Sequence, residues 1–331
     1  MIIKKLLITG SSGYIGSCLN TYLKKRYKVY LLDLVKPKEF NKINLKNFLK
    51  FDLKNSKKLD KILQKIKPDL VIHLAAKSTV NEKIKKKNYI SNNLVATRNL
   101  VNSMNRHNIN KIIFSSTAAV YDKNKKRINE NFKLRPISNY GKSKLQAEET
   151  IMKNNRLNYV ILRFFNVSGC LKKPMIGEFH NPETHLIPIS VFKSIKENDI
   201  NIFGDDYKTK DGTCVRDYVH IKDICIAIEK SKNYLKKNRS TILNIGGGHG
   251  VSNKSVIKNL EKILNKNVRV NYLKKRKGDQ AVLVCNITKA KNLINWRPKN
   301  SRIFNILKDE IMWSQFLIKQ KINRKYSSVQ K

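Results

Sequence analysis

The sequence is poor in acidic residues and has no long apolar run. Its 24 Asp and Glu face 69 Lys and Arg, which gives a formal net charge of +45 at pH 7. A membrane-spanning helix needs about 20 consecutive apolar residues, and none is present. Residues 1–10 pass from an apolar strand into a glycine loop without the small-residue cleavage site of a secretory signal. We therefore expect a cytoplasmic protein with no membrane partner.

Cysteine is also scarce, and the thiols are scattered singly. The sequence has no CxxC pair and no Cys/His cluster with the spacing of a metal site. We therefore expect reduced thiols and no metal centre. The five cysteines are Cys18, Cys170, Cys214, Cys225 and Cys285.

Glycine (13) and proline (7) are few, whereas lysine is abundant along the whole chain, together with Asn and Ile. A high positive charge favours polyanions as partners. However, no zinc finger, helix-turn-helix or RNP aromatic pair accompanies the charge here. A uniform excess of lysine is typical of residue usage in an AT-rich coding sequence. We therefore expect no specific nucleic-acid partner.

Short apolar runs alternate with longer amphipathic segments in the first half of the chain. This alternation is typical of βαβ units in a parallel sheet that helices cover on both faces. A chain of 331 residues, 40% of them hydrophobic, is long enough to bury such a core. The sequence predicts an α/β fold, a Rossmann-type doubly wound parallel sheet with a smaller C-terminal lobe. The predicted strands are 4–9, 29–33, 69–74, 111–115 and 159–163, and the predicted helices lie near 14–26, 56–66, 82–107 and 140–153.

The pattern loosens after Asn166, where Pro, Gly and His become frequent. We predict one domain over 1–166, which carries the parallel sheet, and a second, smaller lobe over 167–331. A returning segment, about 214–246, is predicted to add two further strands to the parallel sheet. The remaining assignments are 167–213 and 247–320 for the body of the second lobe, 216–230 for a strand-helix unit and 242–246 for the last returning strand.

Three glycines, Gly10, Gly13 and Gly16, follow the first predicted strand and open the first helix. Glycines in this place allow a tight turn, and the helix N-terminus offers free N–H groups and a positive dipole to a pyrophosphate. Asp33 ends the second strand, where a carboxylate accepts hydrogen bonds from a ribose diol and disfavours a 2′-phosphate. The sequence therefore predicts a site for NAD.

Tyr140 and Lys144 lie four residues apart at the start of a predicted helix, so their side chains share one face. Thr117 ends a parallel strand, at the edge where open α/β sheets bind ligands. A tyrosine acts as a base near neutrality only if its pKa falls by about 3 units, and one cation at about 4 Å supplies roughly that much. We therefore expect Lys144, together with the positive nicotinamide ring of the cofactor, to lower the pKa of Tyr140.

Eight segments of the sequence carry a family resemblance: GSSGYIG, VIHLAA, FSSTAAVY, SNYGKSK, LRFFNVSG, GEFHNPETHLIP, IFGDDYKTKDGTCVRDYVH and RKGDQAVL. Over about residues 4–315 the sequence resembles the extended short-chain dehydrogenase/reductase family. The resemblance implies an isomerase that interconverts UDP-glucose and UDP-galactose by transient oxidation at C4, with NAD tightly bound. It also implies catalytic roles for Thr117, Tyr140 and Lys144.

The same resemblance implies contacts that spacing alone does not reveal. For the cofactor the implied positions are Tyr14, Ile15, Asp52, Leu53, Asn92, Tyr140, Lys144 and Phe165, besides the glycines and Asp33. For the UDP-sugar they are Thr117, Asn166, His185, Leu186, Phe203, Arg216, Arg276 and Asp279. Arginines suit a diphosphate because their donors are forked, and an aspartate suits a ribose diol.

Other functions stay open on the sequence. Related 4,6-dehydratases carry an Asp-Glu pair after the active-site threonine, but Ala118 and Ala119 stand there in this chain. An epimerase of a UDP-N-acetylhexosamine or a UDP-uronate would differ in the size of its sugar pocket, which depends on side chains such as Leu283. A non-catalytic basic binding protein is disfavoured because Thr117, Tyr140 and Lys144 are all present.

The resemblance further implies a homodimer, in which the helices near 82–107 and 140–153 pair with their copies as a four-helix bundle. We expect the first of these helices to have apolar positions beyond those that face its own sheet. These positions are Leu94, Leu100, Val101 and Met104.

Overall fold

The elements below come from a computed structural model, which describes residues 3–38, 45–78, 85–122, 127–173, 175–276 and 279–322. The strands are β1 (Lys5–Thr9), β2 (Lys28–Asp33), β3 (Phe48–Lys50), β4 (Leu70–His73), β5 (Lys111–Thr117), β6 (Asn158–Phe164), β7 (Asn166–Ser168), β8 (Cys170–Lys172), β9 (Met175–Gly177), β10 (Ile200–Phe203), β11 (Val215–His220), β12 (Thr241–Ile245), β13 (Gly250–Ser252), β14 (Val270–Leu273) and β15 (Val282–Leu283). The helices are α1 (Tyr14–Leu23), α2 (Ser56–Ile66), α3 (Lys86–Tyr89), α4 (Ala96–Arg106), α5 (Asn139–Met152), α6 (Leu186–Ile195), α7 (Ile221–Leu235), α8 (Asn253–Leu264), α9 (Thr288–Ile294) and α10 (Ile303–Lys319).

Seven parallel strands form the main sheet, in the order β12-β6-β5-β4-β1-β2-β3. The doubly wound α/β fold predicted from the sequence is thereby confirmed. The chain order reverses between β1 and β4, and in such sheets ligands bind beyond the carboxyl ends of the strands at this point. The strand β3 was not predicted, because it is only three residues long and half-exposed.

Helices cover both faces of this sheet because successive strand residues point to opposite sides. Ile8, with Ile72 and Ile113, packs in a core with α1 and α7. On the other face Leu7, with Val71, packs in a second core with α2, α4 and α5. Both faces of the sheet are therefore shielded from water, which explains why its strands are near-continuous apolar runs in the sequence.

The C-terminal lobe consists of β7–β11, β13–β15, α6, α8 and α10. The strand β11 pairs with β7, β13 and β15, while β10 pairs with β14 and β8 with β9. Three helices, α6, α8 and α10, enclose a separate core that includes Ile187, Val191, Leu260 and Leu307. This lobe comes after β6 in the chain. Three elements from the same part of the sequence, α7, α9 and β12, pack with the main sheet instead.

One part of the returning segment was predicted wrongly. The strand β12 and the helix α7 do join the main sheet, but β11 belongs to the sheet of the C-terminal lobe. Its residue Asp217 accepts hydrogen bonds from the backbone N–H groups of Gly247 and Gly248. A buried carboxylate needs such donors, and the apolar interior beside the main sheet does not supply them.

The helix predicted near 82–107 begins at Lys86 in the structure and continues through a π-helical turn, Ile90–Val95, into α4. Residues 82–84 of that prediction lie outside the described residues. Leu100, Val101 and Met104 are buried in the core between α4 and the main sheet. The expectation that these three side chains are spare for a dimer contact is therefore wrong. Among the described residues, no helix has the length and hydropathy to cross a membrane.

Candidate active site and nucleotide-binding surface

The glycine loop lies between β1 and α1, where backbone approaches backbone. Gly10 has a φ of 71°, and a Cβ atom there would clash with the backbone of Ala75. A Cβ at Gly16 would clash with the carbonyl oxygen of Gly10. Gly13, which precedes α1, is different, because a Cβ there would meet only the carbonyl oxygen of Gly10, at 3.5 Å. The helix N-terminus is therefore open above Gly13, as a bound pyrophosphate requires.

Asp33 lies at the end of β2, beside this loop. Its carboxylate accepts hydrogen bonds from the backbone N–H groups of Ser12, at 2.9 Å, and Val35, at 3.4 Å. Burial raises the pKa of Asp33, and these bonds lower it by less. The carboxylate is only partly buried, so it remains accessible to a ribose diol. The glycines and Asp33 together fit a dinucleotide such as NAD.

A shallow cavity of about 350 Å³ lies next to Asp33, between Leu34, Phe51, Asp52 and Lys58. Its mixture of apolar walls and polar rims suits an adenine ring. Leu53, also predicted at the adenine, is buried in the core, and its carbonyl oxygen accepts a hydrogen bond from Asn99 at 3.2 Å. Leu53 therefore lies in the core, next in the chain to Asp52, which lines the cavity.

Three of the other predicted cofactor residues are held by contacts within the chain. Tyr14 donates its hydroxyl proton to the carbonyl oxygen of Gly169, at 2.5 Å, so its backbone N–H is the part left for a phosphate. The side chain of Ile15 packs against the main core. Asn92 donates to the carbonyl oxygen of Asn88, at 2.8 Å, within its own helix. The side chains of Tyr14 and Asn92 are therefore already hydrogen-bonded within the chain, and that of Ile15 is packed against the core.

The neighbouring Asn93, which sequence reasoning missed, is buried at the centre of the site. It donates to Ser143 Oγ at 2.9 Å and accepts from the N–H of Lys77 at 2.7 Å. This side chain therefore ties the loop after β4 to α5. A buried asparagine inside a helical apolar pattern was the available signal.

Thr117 and Tyr140 are neighbours at the carboxyl edge of the sheet. The Thr117 hydroxyl accepts a hydrogen bond from the N–H of Ala119, at 3.2 Å, and it also bonds to the hydroxyl of Tyr140. Tyr140 is in the first turn of α5, which Ser138 caps by accepting from the N–H of Gly141 at 3.0 Å. A side chain at Gly141 would clash with the carbonyl of Ala119, so this glycine lets α5 approach the end of β5.

Burial dominates the electrostatics of Tyr140 and Lys144. It raises the pKa of Tyr140 to about 12, although the bond to Thr117 lowers it in part. Burial also lowers the pKa of Lys144 to about 7, although the negative charge of Glu148 raises it in part. Lys144 is only 2% exposed, and its Nζ lies 4.0 Å from the centroid of the Phe114 ring. In the protein alone, burial is therefore the largest influence on both pKa values, and the expectation that Lys144 lowers the pKa of Tyr140 in the enzyme with its cofactor stays a prediction.

A buried ion pair holds the catalytic helix against the sheet. Arg163 of β6 contacts Glu148 of α5, with Nη2 to Oε2 at 2.7 Å, and neither is more than 1% exposed. Arg163 also donates to the hydroxyl of Tyr121 at 2.9 Å, and Tyr121 donates to Asn244 at 2.7 Å. Glu148 is one helical turn after Lys144, so this network fixes the position of Lys144. A single arginine within an apolar strand was the sequence signal for it.

The predicted UDP contacts of the C-terminal lobe converge on one corner. Arg216 lies on β11, where Nη1 donates to the carbonyl oxygen of Gln280 at 2.7 Å. Its Nη2 lies 3.7 Å from Asp279 Oδ1. The guanidinium of Arg276 stacks on Phe203, 3.8 Å from the ring centroid. Two guanidinium groups beside a carboxylate and an aromatic face can bind a nucleoside diphosphate.

The remaining predicted positions are the cofactor residue Phe165 and three substrate residues, Asn166, His185 and Leu186. Phe165 is buried, and its N–H donates to the carbonyl oxygen of Ile245 at 3.0 Å, while Asn166 begins β7 and is half-buried. His185 precedes α6, whose first residue is Leu186. Burial lowers the pKa of His185, but neighbouring glutamates raise it by more, so that it lies well above the usual value.

Comparison with known proteins assigns the family. Residues 6–246 match the NAD dependent epimerase/dehydratase family. The chain is 37% identical, over 93% of its length and 96% of the relative's, to a UDP-glucose 4-epimerase of Lactobacillus helveticus. This chain belongs to the NAD dependent epimerase/dehydratase family.

Solved structures of this epimerase/dehydratase family share the whole fold. A UDP-glucose 4-epimerase from Brucella ovis, in complex with NAD, is 29% identical and has a TM-score of 0.88, covering 94% of this chain and 98% of that one. The enzyme from Bifidobacterium longum, in complex with NAD⁺ and UDP, is 27% identical with a TM-score of 0.86, covering 95% and 98%. The likeness therefore includes both the main sheet and the C-terminal lobe.

Proposed function

We propose that this protein is a UDP-glucose 4-epimerase, which interconverts UDP-glucose and UDP-galactose and holds NAD as a tightly bound cofactor. The observation that carries the proposal is the bonded pair Thr117 and Tyr140, with Lys144 one turn along the same helix. These groups share the carboxyl edge of the sheet with the glycine loop. The relatives named above, with NAD in two of their structures and UDP in one of these, support the same assignment.

Tyr140 acts as the base that takes the proton of the sugar 4-hydroxyl, and it later returns that proton. Thr117 donates to the same sugar oxygen and orients it. Bound NAD supplies the oxidising and reducing chemistry at C4. Because the pKa of Tyr140 is about 12 in the protein alone, its deprotonation needs positive charge nearby. Lys144 provides this charge when its ammonium is retained by hydrogen bonds to the cofactor ribose.

Arg216 and Arg276 bind the diphosphate while the sugar end stays loosely held. Inversion at C4 requires the oxidised sugar to present its other face, so the nucleotide must remain bound as the sugar rotates. Forked charge-assisted hydrogen bonds to phosphate suit this anchoring role. The carboxylate of Asp279 suits the ribose of the same nucleotide.

A dehydratase is disfavoured at the same site. Ala118 and Ala119 follow Thr117 in a short 3₁₀ helix. Because alanine has neither an acidic nor a basic side chain, these positions cannot catalyse the elimination of water. Epimerases of N-acetylated or uronic UDP-sugars remain the alternative. Leu283, which pairs in register with Arg216 across β15 and β11, is one of the side chains that would limit the sugar's size.

The test is an epimerase assay combined with measurement of the cofactor. Purified protein should convert UDP-galactose to UDP-glucose without added NAD, and the supernatant after denaturation should contain about one NAD per chain. Faster turnover of UDP-N-acetylgalactosamine or UDP-galacturonate would reassign the substrate. Absence of both NAD and turnover would favour a non-catalytic binding protein.

We also propose that the two lobes bind different ligands, that the protein is cytoplasmic and that it forms a homodimer. Residues 1–166, with α7 and β12, bind NAD, and the C-terminal lobe binds the UDP-sugar. The five cysteines are all free and buried, which suits a reducing cytoplasm. The homodimer through α4 and α5 rests on the family resemblance. Light scattering at micromolar concentration tests the dimer.

A further inference from the structure

Two glutamates and two histidines converge in the loop between β9 and α6, outside the catalytic groups. They are Glu178, His180, Glu183 and His185, and one ligand atom from each lies within 4.8 Å of the others. His180 Nδ1 is 2.9 Å from Glu178 Oε1, and His185 Nδ1 is 3.0 Å from Glu178 Oε1 and from Glu183 Oε1. Four such atoms around one point form a potential coordination sphere.

The carboxylate of Glu183 is the most informative member of the cluster. The side chain is 0% exposed. Its Oε1 accepts hydrogen bonds from the N–H groups of Thr184, at 2.8 Å, and His185, at 3.0 Å. Its Oε2 is buried and has no hydrogen-bond partner within the described parts of the chain. Although the sequence has 69 Lys and Arg, none of those described pairs with Glu183.

We propose that these four side chains bind one divalent transition-metal ion, with zinc as the ion that the ligand set favours. Two imidazole nitrogens and two carboxylate oxygens are zinc ligands, and tetrahedral geometry at zinc places neighbouring ligand atoms about 3.3 Å apart. Three of the observed separations are 2.9–3.0 Å, close to this value, and all four ligand atoms lie within 4.8 Å of one another. The two carboxylates balance the charge of the ion while both histidines are neutral. Four protein ligands make a closed, structural site.

The metal would fix a loop that leads directly into the proposed substrate site. The first ligand, Glu178, follows β9, and its carbonyl oxygen accepts a hydrogen bond from Trp313 of α10 at 2.7 Å. The last ligand, His185, precedes α6 and its first residue, Leu186. A bound ion would therefore tie the end of β9 to the start of α6 and orient the residues proposed to contact the UDP-sugar.

This inference departs from the sequence-based expectation of no metal centre. That expectation came from Cys and His spacing alone. Here the ligands alternate as Glu-x-His-x-x-Glu-x-His, and half of them are carboxylates. Only the fold of the loop brings the four ligand atoms together. The alternative for the same geometry is a metal-free network in which protonated histidines donate to the two carboxylates.

Elemental analysis of the full chain, purified without a histidine tag or chelator, distinguishes a bound metal ion from the metal-free network. Wild-type protein should retain about one zinc per chain through dialysis, since structural sites of this kind bind tightly. His180→Ala and Glu183→Gln should each lose most of it. The control, His249→Ala, removes a histidine outside the cluster and should retain the ion. Less than about a tenth of an equivalent of any divalent metal in the wild type would contradict the proposal.

A spectroscopic test on the wild type does not depend on how well the variants fold. After removal of metal by a chelator, with the fold checked by circular dichroism, Co²⁺ alone is added. We expect the visible absorption of four-coordinate Co²⁺, and Zn²⁺ should abolish it. Absence of this absorption would support the metal-free network. Bound NAD and epimerase turnover are measured on the same samples, so that failure of the metal site is distinguished from failure of the proposed function.

Discussion

The catalytic edge of the main sheet and the arginine corner of the C-terminal lobe are built in opposite ways. Lys144 is almost completely buried, and its helix is anchored by the Arg163–Glu148 ion pair. Arg216, on β11, is only half-buried, and Arg276, in the loop after β14, is exposed. This difference fits the proposed chemistry, because C4 must meet a rigid base while the nucleotide is held by adaptable side chains. Four substitutions test the comparison.

The largest effect is expected from Tyr140→Phe. Loss of the phenol oxygen removes the proposed base, so turnover should fall about 10²–10⁴-fold with the fold intact. Tyr159→Phe, at the opposite end of the sheet, is the control and should retain wild-type turnover. Steady-state kinetics with UDP-galactose measure both. A Tyr140→Phe enzyme that kept more than half of its turnover would exclude this residue as the base.

Glu148→Gln should show how far the catalytic edge depends on its buried ion pair. The substitution leaves Arg163 as an unpaired charge in the core, so the free energy of unfolding should fall by about 3–5 kcal/mol. Glu149→Gln changes an exposed residue of the same helix and should stay within about 0.5 kcal/mol of wild type. Urea denaturation measures both. Equal stability of the two variants would mean that the pair does not anchor α5.

Arg216→Lys probes the arginine corner of the C-terminal lobe. Loss of the forked donors to the diphosphate should raise KM for UDP-galactose about 10–100-fold, since a hydrogen bond to a charged group is worth about 1.5–3 kcal/mol. Bound NAD and kcat should change little. Arg156→Lys, on the surface, is the control. A loss of NAD instead of a rise in KM would show that the two regions are not separate.

Asp309→Asn should have the smallest effect, at the contact between α10 and β11. Burial raises the pKa of Asp309, but His220 and Lys172 lower it by more, so the net shift is downward. A lowered carboxyl pKa stabilises the fold above the unfolded value of about 3.9, and this contribution is lost as pH falls below it.

The Asp309→Asn variant should therefore be about 1 kcal/mol less stable than wild type at pH 7. The difference should begin to shrink as the pH falls below about 3.9, where the unfolded chain takes up its proton, and should vanish once the pH is below the lowered pKa of folded Asp309. Denaturant titrations at several pH values give the profile. A difference that is independent of pH would point to lost packing instead of lost charge.

The sequence by itself determined six of the seven strands of the main sheet, the glycine loop and the positions of Thr117, Tyr140 and Lys144 on their elements. Buried parallel strands read as continuous apolar runs, and Tyr140 and Lys144 share a helix face at fixed spacing, so both features are local. The prediction of Thr117 at the end of β5 needed nothing beyond the position of that strand.

Only the tertiary structure decided which strands and charges meet. The partners of β11, the pairing of Arg163 with Glu148 and the convergence of Glu178 with His185 join residues that the local pattern leaves unconnected. The pKa of Tyr140 was likewise beyond the sequence, because it depends on how completely the surrounding chain removes water. Desolvation is a property of the packed interior, and no spacing of residues along the chain encodes it.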